Sequence, residues 1–60
     1  MKWKYIAVDA SGEVFVYTQK PEYKDEQWGR ELDVGKDCMH IDQIDPPEDA
    51  SQELYKIVEV

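Results

Sequence analysis

The chain has 60 residues, of which 14 are acidic, seven are basic and one is a cysteine, giving a formal net charge of -7. This length predicts a single small domain over residues 1–60 with a modest core, and one cysteine excludes an internal disulfide. The longest apolar runs, residues 6–8 and 14–17, are too short to cross a membrane, and the negative charge disfavours direct binding to nucleic acid or to an anionic membrane.

Two segments rich in aromatic and β-branched residues open the chain and predict a β-hairpin. They cover residues 3–9 and 13–19, with turn-forming residues around 9–12. Because both faces of this ribbon are apolar, the rest of the chain must cover one face, and we expect the face with Trp3, Tyr5 and Tyr17 to be spare. The first apolar stretch ends too early for a secretory signal peptide, so a cytoplasmic location is expected.

The segment after the hairpin is polar and predicts a long loop over residues 20–36. Pro21 ends the second strand because proline has no amide hydrogen for a central ladder. Trp28 lies in this predicted loop, and most of its neighbours in the sequence are polar or charged. Two interpretations of Trp28 stay open: a core residue that closes a small sheet, or an exposed anchor at an interface.

The remaining chain predicts a third strand, a short helical turn and a fourth strand. An imperfect alternation marks a strand over residues 38–44, and Asp45 with Glu48 has the spacing of a helix N-terminal capping box. We expect a helical turn over residues 47–53 and a strand over residues 55–59, with a longer C-terminal helix as the alternative. The predicted fold class is α+β, mainly β, with a small antiparallel sheet of three or four strands.

The residues that could support chemistry are too few for an enzyme. Cys38 and His40 would share one face of a strand, but zinc requires four ligands, and a catalytic pair requires an orienting third group. The carboxylates of residues 42–49 lack the spacing and the central glycine of a calcium loop. No phosphate-binding or serine-nucleophile motif is present. We therefore expect no catalytic residues, no metal and no cofactor.

The strand, turn and aromatic strand of residues 8–17 are followed by the Lys20-Pro21-Glu22 sequence and the isolated Trp28. This arrangement resembles the opening of small proteins from tailed bacteriophages and prophages, and the similarity covers residues 5–28, a little under half of the chain. Proteins of that kind with a known role are commonly inhibitors or modulators of host proteins, including restriction, CRISPR and repair enzymes. The resemblance thus implies a phage-encoded modulator acting inside a bacterial cell, and it supplies no functional residue.

The acidity is concentrated in the middle of the chain, where residues 22–53 hold eleven acids against three bases. Such asymmetry predicts either a solubilising face or an interaction surface. As an interaction surface, it would steer the chain onto a basic groove of a host nucleic-acid-handling or defence protein, as a mimic of nucleic acid. The alternative is a self-associating module that forms a homodimer through the spare face. The residues predicted to bind the host protein are Glu22, Tyr23, Asp25, Glu26, Trp28, Asp42, Asp45, Glu48 and Asp49.

Overall fold

The computed structural model describes residues 2–58, which form two small antiparallel sheets and one turn of 3-10 helix. The larger sheet has four strands in the order β5-β2-β1-β6, and β3 with β4 forms a separate two-stranded ribbon. This confirms a mainly β fold with a short helical turn. The strands are β1 (Tyr5–Val8), β2 (Glu13–Tyr17), β3 (Tyr23–Lys24), β4 (Gln27–Trp28), β5 (Cys38–Gln43) and β6 (Leu54–Lys56).

The predicted hairpin is present as β1 and β2, each shorter than the sequence pattern suggested. Its register places Tyr5 opposite Tyr17 and Val8 opposite Val14. The chain reverses between Asp9 and Gly12, whose amide donates to the Asp9 carbonyl at 2.9 Å. The pairing of β1 with β6 and of β2 with β5 then extends the hairpin into a four-stranded sheet.

The predicted long loop was wrong in one respect, because residues 20–36 contain the β3–β4 ribbon. Asp25 and Glu26 connect its strands with φ angles of 52° and 66°, the left-handed conformation at both central positions that a tight two-residue hairpin turn requires. Asp-Glu lacks the glycine that usually marks such a turn, and each strand has only two residues. The pattern of polar residues therefore gave no strand signal.

The third predicted strand forms β5, an edge strand with an irregular register. Phe15 lies opposite His40 and Val14 lies opposite Asp42, so Ile41 is an extra residue in β5. This β-bulge moves Asp42 to the face opposite that of His40. A bulge in an edge strand also disfavours the addition of another strand to that edge.

The predicted capping box at Asp45 was wrong, because the helical turn begins four residues later. The 3-10 helix covers Ala50–Gln52, and the Asp49 carboxylate accepts a hydrogen bond from the Ser51 amide. Pro47 disfavours helical backbone at Pro46, the predicted first helical residue. The final strand is present as β6, while the end of its predicted range, residue 59, lies outside the described residues.

The main core cluster lies on one side of the larger sheet, here called the first face, while Val8, Val14 and Val16 are buried on the opposite side. Ala7, Tyr17 and Cys38 project from this face and pack with Trp28 of β4. Further partly buried residues complete the cluster from the sheet and from the chain above it: Tyr5, Phe15, Tyr23, Leu32 and Leu54. The β3–β4 ribbon thus supplies the cover that a two-stranded hairpin requires.

The prediction of the spare face was wrong. Tyr17 is only 1% exposed and Tyr5 packs against the core, so the face assigned to a partner is the one that the chain itself covers. The opposite side, called the second face, carries the side chains that alternate with these. Its members are Ile6, Val8, Val14, Val16, Met39 and Tyr55. Residues 2–58 contain no helix long and apolar enough to cross a membrane.

Candidate protein-binding surface

Three connecting segments meet where β1 turns into β2. The amide of Ala10 donates to the carbonyl of Glu26 at 3.2 Å, which joins the β1–β2 turn to the β3–β4 turn. The amide of Ile44 donates to the carbonyl of Gly12 at 2.9 Å, which joins the same turn to the chain that leaves β5. Segments distant in sequence are therefore fixed side by side through their backbones.

These segments carry most of the predicted acidic residues, and all of the carboxylates concerned are exposed. Two lie in the β3–β4 turn, one lies at the end of β5, and three lie in the segment that leads to the 3-10 helix. We call this group the acidic end of the molecule: Asp25, Glu26, Asp42, Asp45, Glu48 and Asp49. Glu22 is not part of it, because its carbonyl accepts from the Gly29 amide at the open end of the ribbon.

Tyr23 lies near carboxylates from three segments of the chain. Its pKa is raised first by burial and then by the negative charges of Glu26, Asp49 and Asp9. These three carboxylates come from three different segments of the chain. Folding therefore produces a negative field at the acidic end that no single segment would create alone.

Some of the acidic side chains form an ion pair or a helix cap within the molecule, and others do not. Asp25 forms an ion pair with Arg30, and the Asp49 carboxylate caps the 3-10 helix. The carboxylates of Glu26, Asp45 and Glu48 accept no hydrogen bond and form no ion pair within residues 2–58. These three groups are consequently available to an external cation.

The two predicted aromatic anchors are held by the core. Trp28 is 8% exposed, and its indole N–H donates to the Ala50 carbonyl at 2.9 Å. Tyr23 is half-buried, and its ring centre lies 5.2 Å from that of Trp28. Trp28 therefore presents little surface to a partner, and of the two interpretations the structure favours the core residue.

Sequence reasoning missed the structural role of Asp9, which is 7% exposed beneath the acidic end. Its Oδ1 atom accepts a hydrogen bond from the Trp28 backbone N–H at 2.8 Å. Burial raises the pKa of this carboxyl, the bond from Trp28 opposes that effect, and the charge of Glu13 adds to it. An aspartate in a turn is ordinarily explained by turn formation alone, so the sequence held no signal for this contact.

Cys38 and His40 share the first face of the larger sheet, where both side chains take part in packing. Cys38 is buried, and burial followed by the charges of Asp37 and Asp33 raises the pKa of its thiol, which favours the unreactive protonated form. The His40 ring packs 5.2 Å from the Phe15 ring. Within residues 2–58, no group of three or more potential ligands is arranged to hold a metal ion.

A surface cavity of about 580 Å³ lies along the β3–β4 ribbon, and its lining includes Arg30, the ion-pair partner of Asp25. Its lining mixes cations, acids and two apolar side chains. The charged members are Lys20, Glu22, Lys24, Arg30 and Glu31, and the apolar members are Pro21 and Leu32. This mixture has no paired acid and base in a common buried setting, so it suggests no catalytic arrangement.

No family model, curated protein or solved structure matches this chain. The resemblance to small phage proteins therefore stays a prediction. The function has to be argued from the acidic end and from the surfaces around it.

Proposed function

We propose that this chain is a non-enzymatic protein-binding module that docks through its acidic end onto a basic surface of a nucleic-acid-handling or defence protein. The observation that supports this proposal is the convergence of three segments at one end, where the carboxylates of Glu26, Asp45 and Glu48 have no hydrogen bond or ion pair with any other residue of the range 2–58. Carboxylates spaced over a rigid surface can occupy cation sites that otherwise hold phosphates. Together with the resemblance to phage proteins, this favours an inhibitor that mimics nucleic acid in the bacterial cytoplasm.

Electrostatic attraction would act mainly on the rate of encounter. A concentrated negative field can raise association to about 10⁸ M⁻¹ s⁻¹ or more at low salt, and this gain falls as salt screens the charges. Tyr23, whose ring is half-buried beside the acidic end, offers an amphipathic contact that salt does not screen. The expected complex therefore forms faster at low salt and persists partly at physiological salt.

The direct test is capture from a bacterial lysate with the immobilised full chain, followed by competition. We expect to recover a nucleic-acid-binding protein that duplex DNA or RNA displaces. The double variant Asp45→Lys with Glu48→Lys should abolish capture, because it reverses two exposed charges whose carboxylates make no hydrogen bond or ion pair among the described residues 2–58. Glu31→Lys is the control, since Glu31 is an exposed acid beside the cavity rather than at the acidic end.

Two results would contradict the proposal. One is the capture of proteins that nucleic acid does not displace. The other is equal loss of capture in the Glu31→Lys control and in the double variant, because that would show a dependence on net charge rather than on the acidic end.

A further inference from the structure

A smaller cavity, of about 210 Å³, lies on the first face of the larger sheet, where β2 and the β3–β4 ribbon meet. Its lining includes three buried side chains, those of Asp9, Trp28 and Cys38, together with the half-buried Phe15 and Leu32. Sites for small molecules usually have volumes of about 300 to 1,000 Å³. This cavity is therefore better suited to a single side chain than to a cofactor.

Asp9 supplies a buried carboxylate to this cavity. The residue is 7% exposed, and its Oδ1 atom accepts a hydrogen bond from the Trp28 backbone N–H at 2.8 Å. Its Oδ2 atom accepts no hydrogen bond from residues 2–58. In that range, no side-chain nitrogen or oxygen that is closed off from solvent lacks a hydrogen-bond partner. Oδ2 therefore remains accessible, and the cavity that Asp9 lines gives a ligand access to it.

No cation among residues 2–58 forms an ion pair with Asp9. Arg30 also lines the cavity, but its guanidinium pairs with Asp25 in the β3–β4 turn. Burial raises the pKa of the Asp9 carboxyl, and the charge of Glu13, another lining residue, raises it further. A bound cation would offset both effects, because it replaces lost hydration and opposes the second negative charge.

The cavity adjoins the acidic end. Asp9 directly precedes Ala10, whose amide donates to the Glu26 carbonyl at 3.2 Å. Gln27, the residue after Glu26, lines the cavity. A basic surface that the acidic end attracts would therefore bring its cationic side chains close to the cavity.

We propose that this cavity binds the side chain of one arginine of the protein that docks at the acidic end. A guanidinium group presents five N–H donors in one plane, which suits the two carboxylates of Asp9 and Glu13. Its plane and its aliphatic stem can pack on the apolar surface of Phe15 and Leu32. The inference rests on the proposed docking function for the source of the arginine, whereas the site itself can be tested without a partner.

Titration of the isotopically labelled full chain with N-propylguanidinium chloride, followed by nuclear magnetic resonance, tests the site. Sodium chloride keeps the ionic strength constant throughout the titration. We expect saturable shifts of the Trp28 and Gly29 amide resonances, with a dissociation constant of about 1 to 10 mM for so small a probe. N-propylurea has nearly the same shape but no charge, and it should give no saturable shift.

Two substitutions that remove the same charge distinguish the cavity from the general acidity of the chain. Asp9→Asn should raise the dissociation constant of the probe at least about 10-fold, because it removes the buried charge and keeps an oxygen for the Trp28 amide. Asp45→Asn is the matched control: Asp45 is exposed at the acidic end and does not line the cavity, so this variant should bind the probe with wild-type affinity. No saturable shift, equal binding of N-propylurea, or equal weakening by both substitutions would overturn the proposal.

Capture experiments test the source of the arginine. Asp9→Asn should release the captured protein at a lower salt concentration than wild type, and release at the same concentration would show that no side chain of the partner occupies the cavity. The two proposals fail in different ways. Loss of probe binding overturns the cavity site while capture continues, whereas a chain that binds the probe but captures no nucleic-acid-binding protein overturns the docking function and this source of the arginine.

Discussion

At the scale of single residues, Trp28 is the point where distant parts of the chain are joined. Its backbone N–H donates to Asp9 at 2.8 Å, its carbonyl accepts from the Tyr17 hydroxyl at 3.1 Å, and its indole N–H donates to the Ala50 carbonyl at 2.9 Å. These bonds tie the ribbon to the β1–β2 turn, to β2 and to the 3-10 helix. Because the total free energy of unfolding of so small a domain is low, each of these hydrogen bonds contributes a substantial fraction of it.

Asp9→Ala should lower the free energy of unfolding by about 1 to 3 kcal/mol, because it leaves the buried Trp28 N–H without an acceptor. Asp9→Asn keeps an oxygen acceptor and removes a charge that burial disfavours, so it should be close to neutral or stabilising. Urea denaturation of the two variants measures the difference. Equal destabilisation by both would show that this acceptor is not what stabilises the fold.

The pH dependence of stability provides a separate test of Asp9. Its pKa is raised in the folded state, so the unfolded state releases this proton at a lower pH. The contribution of Asp9 to stability is therefore largest at acid pH and falls as the pH rises from the ordinary aspartate pKa through the folded value. Subtracting the profile of Asp9→Asn from that of wild type, between about pH 3 and pH 7, should show this fall; a difference that rises with pH contradicts it.

Tyr17→Phe should cost about 1 to 2 kcal/mol, because the hydroxyl of this 1% exposed side chain donates to the Trp28 carbonyl. Tyr5→Phe is the matched control on the same face, since no hydrogen bond of the Tyr5 hydroxyl exists within residues 2–58. Thermal unfolding followed by near-ultraviolet circular dichroism distinguishes the two. A loss of equal size in the control would assign the effect to packing rather than to the hydrogen bond.

At the scale of elements, the close approach of the β1–β2 turn to the chain after β5 determines the shape of the acidic end. Gly12 has a φ of +89°, and a Cβ atom at this position would stand 2.1 Å from the Ile44 carbonyl oxygen. That contact leaves no space for a side chain. The path of the segment that carries Asp45, Glu48 and Asp49 therefore depends on a glycine in the opposite turn.

Gly12→Ala should destabilise the fold by more than Gly35→Ala. Gly35 has a similar φ of +92° but no atom within 4 Å of the added Cβ, so its replacement carries only the backbone cost of about 1 to 2 kcal/mol. Gly12→Ala adds a backbone clash and should also shift the amide resonance of Ile44, which donates to Gly12. Equal effects of the two substitutions on unfolding and on that resonance would contradict the close approach.

At the scale of the whole molecule, six exposed carboxylates are gathered at the acidic end. Repulsion among the carboxylates of the acidic end opposes folding, and at about 0.15 M salt the screening length is about 8 Å. We therefore expect the melting temperature to rise when sodium chloride is increased from about 10 to 150 mM. The variant Asp45→Lys with Glu48→Lys should gain less from salt than wild type, whereas an equal gain would place the repulsion elsewhere.

Local sequence patterns were sufficient to predict the hairpin, strand β5 and the fold class. The alternation of aromatic and β-branched residues has the two-residue period of a strand, and turn-forming residues interrupt it where the chain reverses. The same patterns failed at β3 and β4, where Asp25 and Glu26 adopt left-handed backbone without a glycine. They failed again at the 3-10 helix, where two adjacent prolines delay the first helical residue.

The sequence by itself determined that the chain is acidic, mainly β and built on a hairpin with two apolar faces, because composition and a two-residue period are local properties. Only the tertiary structure decided which face carries the main core cluster, that Trp28 belongs to the core and that three acidic segments meet at one end. These outcomes depend on hydrogen bonds between residues far apart in sequence, such as Asp9 with Trp28 and Gly12 with Ile44. A period of two marks two faces without distinguishing them, and the contacts made in folding choose between them.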